Sequence, residues 1–349
     1  MPFSRKRVAF TKILNGTGII RLIEAFPTRA GLLVLTYHRL GNKPDCDFDR
    51  GVISASADQF DQQIAFLKRR FPIVDFEEAL RLLRNPTGMK HYYVLLSFDD
   101  GYLDNYEAAL PVLRAHGCSA IFFVVPQLVG TATLPWWDEI AFLVRSCRRS
   151  TLEISRPVPY KLELGPDREP AIEVLLRLFK STANREPDIF LEQLREQANI
   201  PIPIQPRRFM NWVEICELAE SGMEIGSHTA SHLVLGRLPP GRQLQELVSS
   251  KMEIEAHTRM RVRAVAYPVG SRTAFSETTE QLVIHAGYEA AFSSYGGMNS
   301  PPECRLTSIR RMVPWRLGDS MFATEMSLMS HFGPELSRLA ENRSLYRNW

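Results

Sequence analysis

Short apolar runs recur along the chain and alternate with amphipathic segments. This alternation is typical of strands that are each followed by a helix, because buried parallel strands are apolar throughout whereas helices carry one apolar face. The pattern therefore predicts an α/β fold rather than a β-sandwich. The predicted strands are residues 32–37, 94–98, 120–125, 223–227, 264–267, 290–293 and 309–313.

Two of the intervening segments carry clear helix-start signals. In 56–71, Ser56 and Gln59 have the spacing of a capping box and precede apolar residues on one helical face. Asn211 and Glu214 repeat that spacing at the start of a second helix. These signals predict helices that pack their apolar faces on the strands.

Composition changes between about 131 and 208, where helix-like segments end in a proline-rich stretch. Prolines interrupt both helices and central strands, so this part predicts a helical insertion into an otherwise regular domain at 31–320. The segment at 1–30 predicts a separate amphipathic element, and 321–349 predicts a C-terminal helical tail.

Charge and cysteine content narrow the class of protein. The net charge is +3, with 42 Lys and Arg scattered among 39 Asp and Glu, so a nucleic-acid partner is not expected. Five cysteines show no paired short spacing, which suits a reducing compartment. No apolar run approaches the ~20 residues of a membrane span, and 1–26 lacks a signal-peptide core.

These observations predict a cytoplasmic protein or one bound peripherally at the cytoplasmic membrane face. Two interpretations of the N-terminal segment stay open, a helix packed on the domain or a basic amphipathic helix on a membrane surface. The oligomeric state is unknown at this level.

The first chemical signal is Ser-Phe-Asp-Asp-Gly-Tyr at 97–102, directly after a predicted strand. Asp99 and Asp100 thus stand at the carboxyl end of a strand, where barrel enzymes place catalytic groups. Neighbouring residues on extended backbone point in different directions, so the two carboxylates can take different tasks. A plain cap of the following helix is the alternative.

The second signal is Gly-Ser-His-Thr-Ala-Ser-His at 226–232, which also follows a predicted strand. His228 and His232 are four residues apart, a spacing that puts both rings on one side of helical or turn backbone. With one aspartate they make a three-ligand site suited to zinc. Two histidines on a solvated helix are the alternative.

The third signal, Tyr-Pro-Val-Gly at 267–270, ends another predicted strand in a sharp turn. Such a turn can direct a backbone N–H at a substrate oxygen, although an ordinary strand-ending turn explains these residues equally well.

Taken together and in this order, the three motifs resemble the polysaccharide deacetylase family. The resemblance covers roughly 32–314 without the insertion, and it implies a distorted (β/α)7 barrel. It also implies that Asp100, His228 and His232 bind a divalent metal, most simply Zn²⁺, and that Asp99 is the general base. The residues expected to contact the sugar are Tyr102, Tyr267, Pro268, Val269, Gly270 and Arg310. Arg310 and Arg311 are both candidates to reach the cleft, and surface charge is the alternative for one of them.

Two departures from the family pattern matter. Many members have an arginine two residues before the proline of the third motif, where this chain has Ala266. Members also commonly supply a C-terminal histidine as general acid, and the only literal match here, His331, falls in the predicted terminal helix. His38, in a Tyr-His pair that resembles biofilm-type poly-N-acetylglucosamine deacetylases, is the better candidate, with a merely structural histidine as the alternative.

The expected function is metal-dependent N-deacetylation of an amino sugar in a polysaccharide or lipid-linked glycan precursor, with release of acetate. A carbohydrate is therefore the expected partner, and Trp136 and Trp137 either stack on its rings or anchor the insertion. Two rival functions stay open. One is hydrolysis of another non-peptide C–N bond in a small amide, and the other is non-catalytic carbohydrate binding on the same fold.

Overall fold

Six parallel strands form the central sheet in the computed structural model, which describes residues 14, 17–44, 46–85, 88–182, 186–202, 206–300, 304–314 and 318–342. Each lies within two residues of a predicted strand. In spatial order they are β1 (Gly31–Tyr37), β4 (Tyr92–Phe98), β5 (Ile121–Val124), β8 (Glu224–Ser227), β9 (Ala264–Ala266) and β10 (Ala290–Phe292).

The predicted seventh strand closes the space between the two edges of this sheet. Ile309 forms a parallel bridge with Phe292 of β10, and Met312 forms one with Leu35 of β1. Backbone hydrogen bonds of 2.8–2.9 Å run from this segment to both edge strands. The expected distorted barrel is therefore confirmed, with 309–312 as a short, irregular seventh stave.

The helices follow the strands as the sequence pattern predicts. A capping box at Ser56 and Gln59 opens the helix of the first block, and one at Asn211 and Glu214 opens the helix before β8. A π-helical turn at Asn105–Ala109 precedes the helix after β4. The described helices are α1 (Ile19–Glu24), α2 (Ala57–Arg70), α3 (Phe76–Arg84), α4 (Leu110–His116), α5 (Trp136–Ser146), α6 (Glu169–Ser181), α7 (Pro187–Ala198), α8 (Trp212–Glu220), α9 (Pro240–Thr258), α10 (Glu277–His285) and α11 (Gly318–Asn342).

The segment at 131–208 holds α5, α6 and α7 together with a hairpin that the sequence prediction missed. The hairpin pairs β6 (Thr151–Ile154) with β7 (Tyr160–Glu163) in antiparallel register. These elements share a second apolar core, centred on Trp136, Phe179 and Phe190. A further two-stranded parallel sheet pairs β2 (Arg39–Leu40) with β3 (Ile53–Ala55). The domain limits at 31–320 stay a prediction.

The termini lie beside each other. α1 packs on α11, and the backbone N–H of Arg29 donates to the carbonyl of Ser330 at 2.8 Å. Leu22 and Phe26 expose more than half of their surface, while residues 1–13, 15, 16 and 343–349 of the predicted terminal segments lie outside the described residues. A membrane-surface role for 1–30 stays a prediction. Among the described helices, none has the length and apolarity of a membrane span.

Barrel strands are buried on both faces, and successive side chains alternate between two cores. Leu33 and Leu35 of β1 pack outward against the helix layer. Leu32 and Val34 pack inward with side chains from the other strands. Side chains alternate in direction along a strand. The same alternation decides whether the residues just after the carboxyl end of each strand point into the barrel or toward the helices.

Gly226 in β8 lies directly against the Phe123 ring of the neighbouring strand β5. A Cβ at this position would lie 2.5 Å from the Phe123 ring and 3.2 Å from the carbonyl oxygen of Ala264. Only glycine fits here without a shift of the neighbouring strands.

We expect Gly226→Ala to lower the free energy of unfolding by roughly 1–3 kcal/mol, as overpacked core positions do. The matched control is Gly241→Ala in α9, where nothing lies within 4 Å of the added methyl group. Urea denaturation of both variants measures the difference. Equal stability of the two would contradict the close approach described for β8.

Candidate active site

The Asp99 side chain points into the barrel. Side chains alternate in direction along β4, and Asp99 follows the inward-pointing Ser97 by two residues. Ser97 lies beside its register partner Thr36 on the adjacent strand β1, with 3.4 Å between the hydroxyl oxygens. The backbone N–H of Asp99 donates to the carbonyl of Tyr37 at 2.9 Å, which extends the β1–β4 pairing by one residue. The Asp99 side chain is only 2% exposed.

Arg311 is the partner of this buried carboxylate. Its two terminal nitrogens donate to the two oxygens of Asp99 at 2.6 and 2.8 Å, and its Nε donates to the carbonyl of Ser293 at 3.0 Å. Such bidentate pairing fixes both the position and the orientation of a carboxylate. The arginine expected at Ala266 is therefore replaced by one from the seventh stave.

The electrostatics of Asp99 follow from this pairing. Burial alone would raise its pKa, but Arg311, with smaller contributions from His228 and His38, lowers the pKa below its usual value. The carboxylate is therefore ionised at neutral and mildly acidic pH.

Asp100 points away from its neighbour because the backbone turns sharply at this residue. Its φ is 74°, and that of Gly101 is 76°. A left-handed conformation is uncommon outside glycine and is concentrated at functional sites. After this turn Asp99 pairs with Arg311, and Asp100 lies beside His232. Nε2 of His228 is close to both carboxylates, 3.6 Å from Oδ1 of Asp100 and 3.7 Å from Oδ2 of Asp99.

The two histidines lie on the loop after β8, which several hydrogen bonds hold. The backbone N–H of His228 donates to the carbonyl of Val124 at 2.8 Å, and the backbone N–H and hydroxyl of Ser231 donate to the carboxylate of Glu246 on α9 at 2.9 and 2.8 Å. His232 has a φ of 57°. The two histidines, four residues apart, are therefore brought to the same side by a strained turn and not by a helix.

The Asp100, His228 and His232 side chains converge. The Nε2 atoms of His228 and His232 lie 3.6 and 3.4 Å from Oδ1 of Asp100, and one ligand atom from each residue falls within 4.8 Å of the others. The rings of the two histidines are 4.7 Å apart between centroids. The geometry is that of three donors around one point.

The protonation states of the two histidines leave ring nitrogens that can bind a cation. Nδ1 of His228 lies 2.8 Å from the carbonyl oxygen of Ala266, so the ring proton is held there and Nε2 keeps its lone pair. Burial lowers the pKa of His228 and, together with His228, lowers that of His232 far below its usual value. Oδ1 of Asp100 is buried without a hydrogen-bond partner among the described residues. An unsatisfied carboxylate oxygen beside two neutral imidazoles fits a divalent metal.

His38 and His331 occupy different parts of the molecule. Nε2 of His38 lies 3.9 Å from Oδ2 of Asp99, and the side chain lines the same cavity. The ring nitrogens of His331 instead lie 2.8 and 2.9 Å from the carbonyl oxygens of Ser327 and Phe26, between α11 and the N-terminal segment. Only His38 shares the cavity with the aspartates.

The turn at 267–270 borders the cavity through one residue. Val269 lines it with a φ of 64°, an unfavourable conformation for a β-branched side chain. Gly270 also has a positive φ, and a Cβ there would lie 2.6 Å from the backbone nitrogen of Ser294. Pro268 and Gly270 thus shape the turn that presents Val269.

A cavity of about 230 Å³ opens above these residues. Trp137 packs against His232 with 4.5 Å between ring centroids, and Trp136 stacks on Phe179 of the insertion at 4.4 Å. The two tryptophans therefore both anchor the insertion and wall the cavity. The lining comprises His38, Asp49, Gly51, Val52, Asp99, Asp100, Trp136, Trp137, Glu173, Leu176, Arg177, Lys180, His228, His232, Val269, Ser294 and Val313.

Three residues predicted to contact the substrate, Tyr102, Tyr267 and Arg310, do not line this cavity. Tyr102 is fully buried and accepts a hydrogen bond from Trp137 Nε1 at 2.7 Å. Tyr267 is also buried and donates to the carbonyl of Thr307 at 2.8 Å. The Arg310 side chain points outward from the barrel and lines a separate cavity.

Sequence reasoning missed the charged groups that the insertion and the loop before β3 bring to the cavity. Lys180, Arg177 and Glu173 come from α6, and Asp49 comes from the loop. A signal for the α6 residues was present in the sequence, since they repeat at helical spacing, but nothing local indicates which way that face points.

A protein-family model and a curated relative match this chain in sequence. A family model described as polysaccharide deacetylase matches residues 87–156 and 182–291, which leaves out 157–181. The Bacillus subtilis (strain 168) polysaccharide deacetylase homologue YxkH is 23% identical over 224 residues. That match covers 64% of this chain and 52% of YxkH, so the chain spans about half the length of that relative.

Solved structures share the fold at low sequence identity. The Streptococcus pyogenes deacetylase PplD, determined in complex with acetate, matches with a TM-score of 0.54 at 17% identity over 86% of this chain and 98% of its own. IcaB from Ammonifex degensii matches with a TM-score of 0.52 at 20% identity over 90% and 98%. At these identities the likeness establishes the barrel fold.

We expect Arg311→Met to destabilise the protein by about 3–5 kcal/mol at pH 7, because it leaves the Asp99 charge buried without its partner. The matched control, Arg310→Met, removes an outward guanidinium 5.8 Å from the Tyr295 ring and should cost about 1 kcal/mol or less. Urea denaturation at pH 7 provides the comparison. A larger loss of stability for Arg310→Met than for Arg311→Met would contradict the conclusion that Arg311 points inward and Arg310 outward.

Proposed function

The chain belongs to the polysaccharide deacetylase family, and on this basis we propose that it hydrolyses the acetamide of an N-acetylated amino sugar. The substrate is a polysaccharide or a lipid-linked glycan precursor, and the products are acetate and a free amino sugar. The observation that carries the proposal is the convergence of an Asp-His-His cluster and an Arg-held carboxylate on one cavity.

We propose that Asp100, His228 and His232 hold a divalent metal ion, most simply Zn²⁺. Two neutral imidazole nitrogens and one carboxylate oxygen make a donor set that suits zinc with a position left for water. When bound, such an ion polarises a carbonyl and lowers the pKa of water to about 7. The buried, unsatisfied oxygen of Asp100 supports this assignment.

Asp99 serves as the general base in this proposal. Its carboxylate takes a proton from the attacking water while the water oxygen bonds to the acetamide carbon. Arg311 keeps the base ionised and oriented, at some cost in basicity because the same contact lowers its pKa. Asp99 thereby acts on the proton, and Asp100 acts on the ion.

His38 serves as the general acid. It lies on the same cavity as Asp99 and donates a proton to the amide nitrogen as the C–N bond breaks, so that the sugar leaves as a neutral amine. The backbone N–H of Val269 faces the developing oxyanion, as the strained turn at 267–270 suggests.

The reaction changes the charge of the glycan. The freed amine is protonated at neutral pH, so each turnover adds one positive charge. This chemistry suits envelope or exopolysaccharide biosynthesis. A panel of acetylated glycans and small acetamides separates the proposal from hydrolysis of another amide, and absence of turnover on every compound would favour a non-catalytic carbohydrate-binding protein.

We expect purified protein to contain about one Zn²⁺ or similar ion per chain, as in sites with three protein ligands. Asp100→Asn and His232→Gln each remove a donor, so both should lose bound metal. His285→Gln, at an exposed position on α10, is the control and should retain it. Metal analysis after dialysis measures all four proteins, and full metal content in both ligand variants would contradict the assignment.

We expect Asp99→Asn and His38→Gln each to lower the rate of acetate release by roughly 10²–10⁴-fold, as loss of a positioned base or acid does. Both should keep their metal, unlike Asp100→Asn. His331→Gln tests the literal motif match and should retain the activity of its folded fraction. The measurements are acetate release from an N-acetylglucosamine oligomer and bound metal. Metal loss in Asp99→Asn with retention in Asp100→Asn would reverse the two roles.

A further inference from the structure

One face of α6 forms a wall of the active-site cavity. Glu173, Leu176, Arg177 and Lys180 all line it, at intervals of three and four residues that place them along one side of the helix. α6 falls entirely within 157–181, the stretch that the family model leaves unmatched. The residues of this wall therefore lie outside the stretches that the family model matches.

The wall is held firmly. Phe179 stacks on Trp136 at 4.4 Å and contacts Phe190 of α7 at 5.5 Å. At the other end of α6, Glu169 accepts hydrogen bonds from Arg145 at 2.6 and 3.1 Å. A helix fixed at both ends presents its cavity face in a defined position, which favours specific recognition.

Lys180 carries the charge nearest to the metal cluster on this wall. Its ammonium lies 5.9 Å from the centroid of the Trp136 ring, and that ring lies 6.1 Å from the ring of His232. Lys180 as a whole is half-buried, and among the described residues its ammonium contacts the Trp136 ring but makes no ion pair or hydrogen bond. Burial lowers the pKa of Lys180, while Asp49 and Asp100 favour its charged form.

Arg177 stands one turn before Lys180, so two cations lie side by side on the cavity face. Glu173 lies a further turn away, about 10 Å along the helix from Lys180. Asp49 on the opposite loop already accepts a hydrogen bond from the backbone N–H of Gly51 at 2.7 Å. The end of the wall closest to Asp100 and His232 is therefore its cationic end.

We propose that Arg177 and Lys180 form a binding subsite for an oxyanion, a phosphate or a carboxylate, carried by the glycan close to the acetamide that is cleaved. This inference rests on the proposed function and adds the substrate class, an anionic N-acetylated glycan. An oxyanion supplies the hydrogen bonds that the ammonium lacks, and a charge-assisted bond of this kind is stronger than one to a neutral hydroxyl.

The test compares three substrates that distinguish the source of the anion: a neutral N-acetylglucosamine oligomer, N-acetylglucosamine linked to a diphosphate, and an oligomer that alternates N-acetylglucosamine with a uronic acid. We expect the wild-type protein to prefer one of the anionic substrates in kcat/KM. Lys180→Met should reduce the ratio of anionic to neutral kcat/KM about tenfold or more, and Arg177→Met should reduce it in the same direction.

The matched control is Lys161→Met, which removes an exposed lysine paired with Glu153 on the hairpin of the same insertion. It should leave the ratio unchanged. High salt should weaken the wild-type preference, because screening reduces attraction between charges. Equal losses on neutral and anionic substrates in Lys180→Met, or no change in the ratio, would overturn the subsite.

A binding measurement keeps this inference separate from the proposed function. Calorimetry on metal-free protein with inorganic pyrophosphate should detect binding to the wild type and to Lys161→Met, and little or none to Lys180→Met. If no substrate releases acetate while pyrophosphate binding still depends on Lys180, the deacetylase proposal fails and the anion subsite stands. If metal-free wild type does not bind pyrophosphate and no anionic substrate is preferred, the subsite is wrong.

Discussion

The buried ion pair between Arg311 and Asp99 depends on closure of the barrel, and the rest of the site depends on that pair. A guanidinium that is 1% exposed is tolerable only when a carboxylate and hydrogen-bond acceptors surround it. Those partners come from the end of β4 and from the residues after β10, while Arg311 comes from 309–312, so Asp99 is held only when these three elements meet. Closure by 309–312 thus both completes the fold and positions the proposed base.

Strained backbone concentrates around the Asp-His-His cluster. Asp100, Thr229, His232 and Val269 all have positive φ, a conformation that costs energy for residues other than glycine and persists only when surrounding contacts enforce it. Glu246 and the carbonyls of Val124 and Ala266 hold the neighbouring residues Ser231 and His228. The strain turns adjacent aspartates apart and brings histidines four residues apart onto one point without a helix.

The insertion gives this chain a different cavity from one formed by the barrel alone. Its apolar core ends in Trp136 and Trp137 against His232, and its helix α6 adds charged side chains to the cavity that the Asp-His-His cluster also lines. The barrel strands therefore supply the groups proposed for hydrolysis. The insertion adds Trp136, Trp137 and the cavity face of α6 to the lining.

The sequence determined the strands, the capped helices and the positions of Asp99, Asp100, His228 and His232 at strand ends, because hydrophobic periodicity and local motifs encode these features. It did not distinguish Arg310 from Arg311. Barrel strands are buried on both faces, so alternation shows that two neighbours point apart without showing which one points inward. That decision came from the bridges of Ile309 and Met312 to the edge strands, and the direction of α6 came likewise from packing between distant segments.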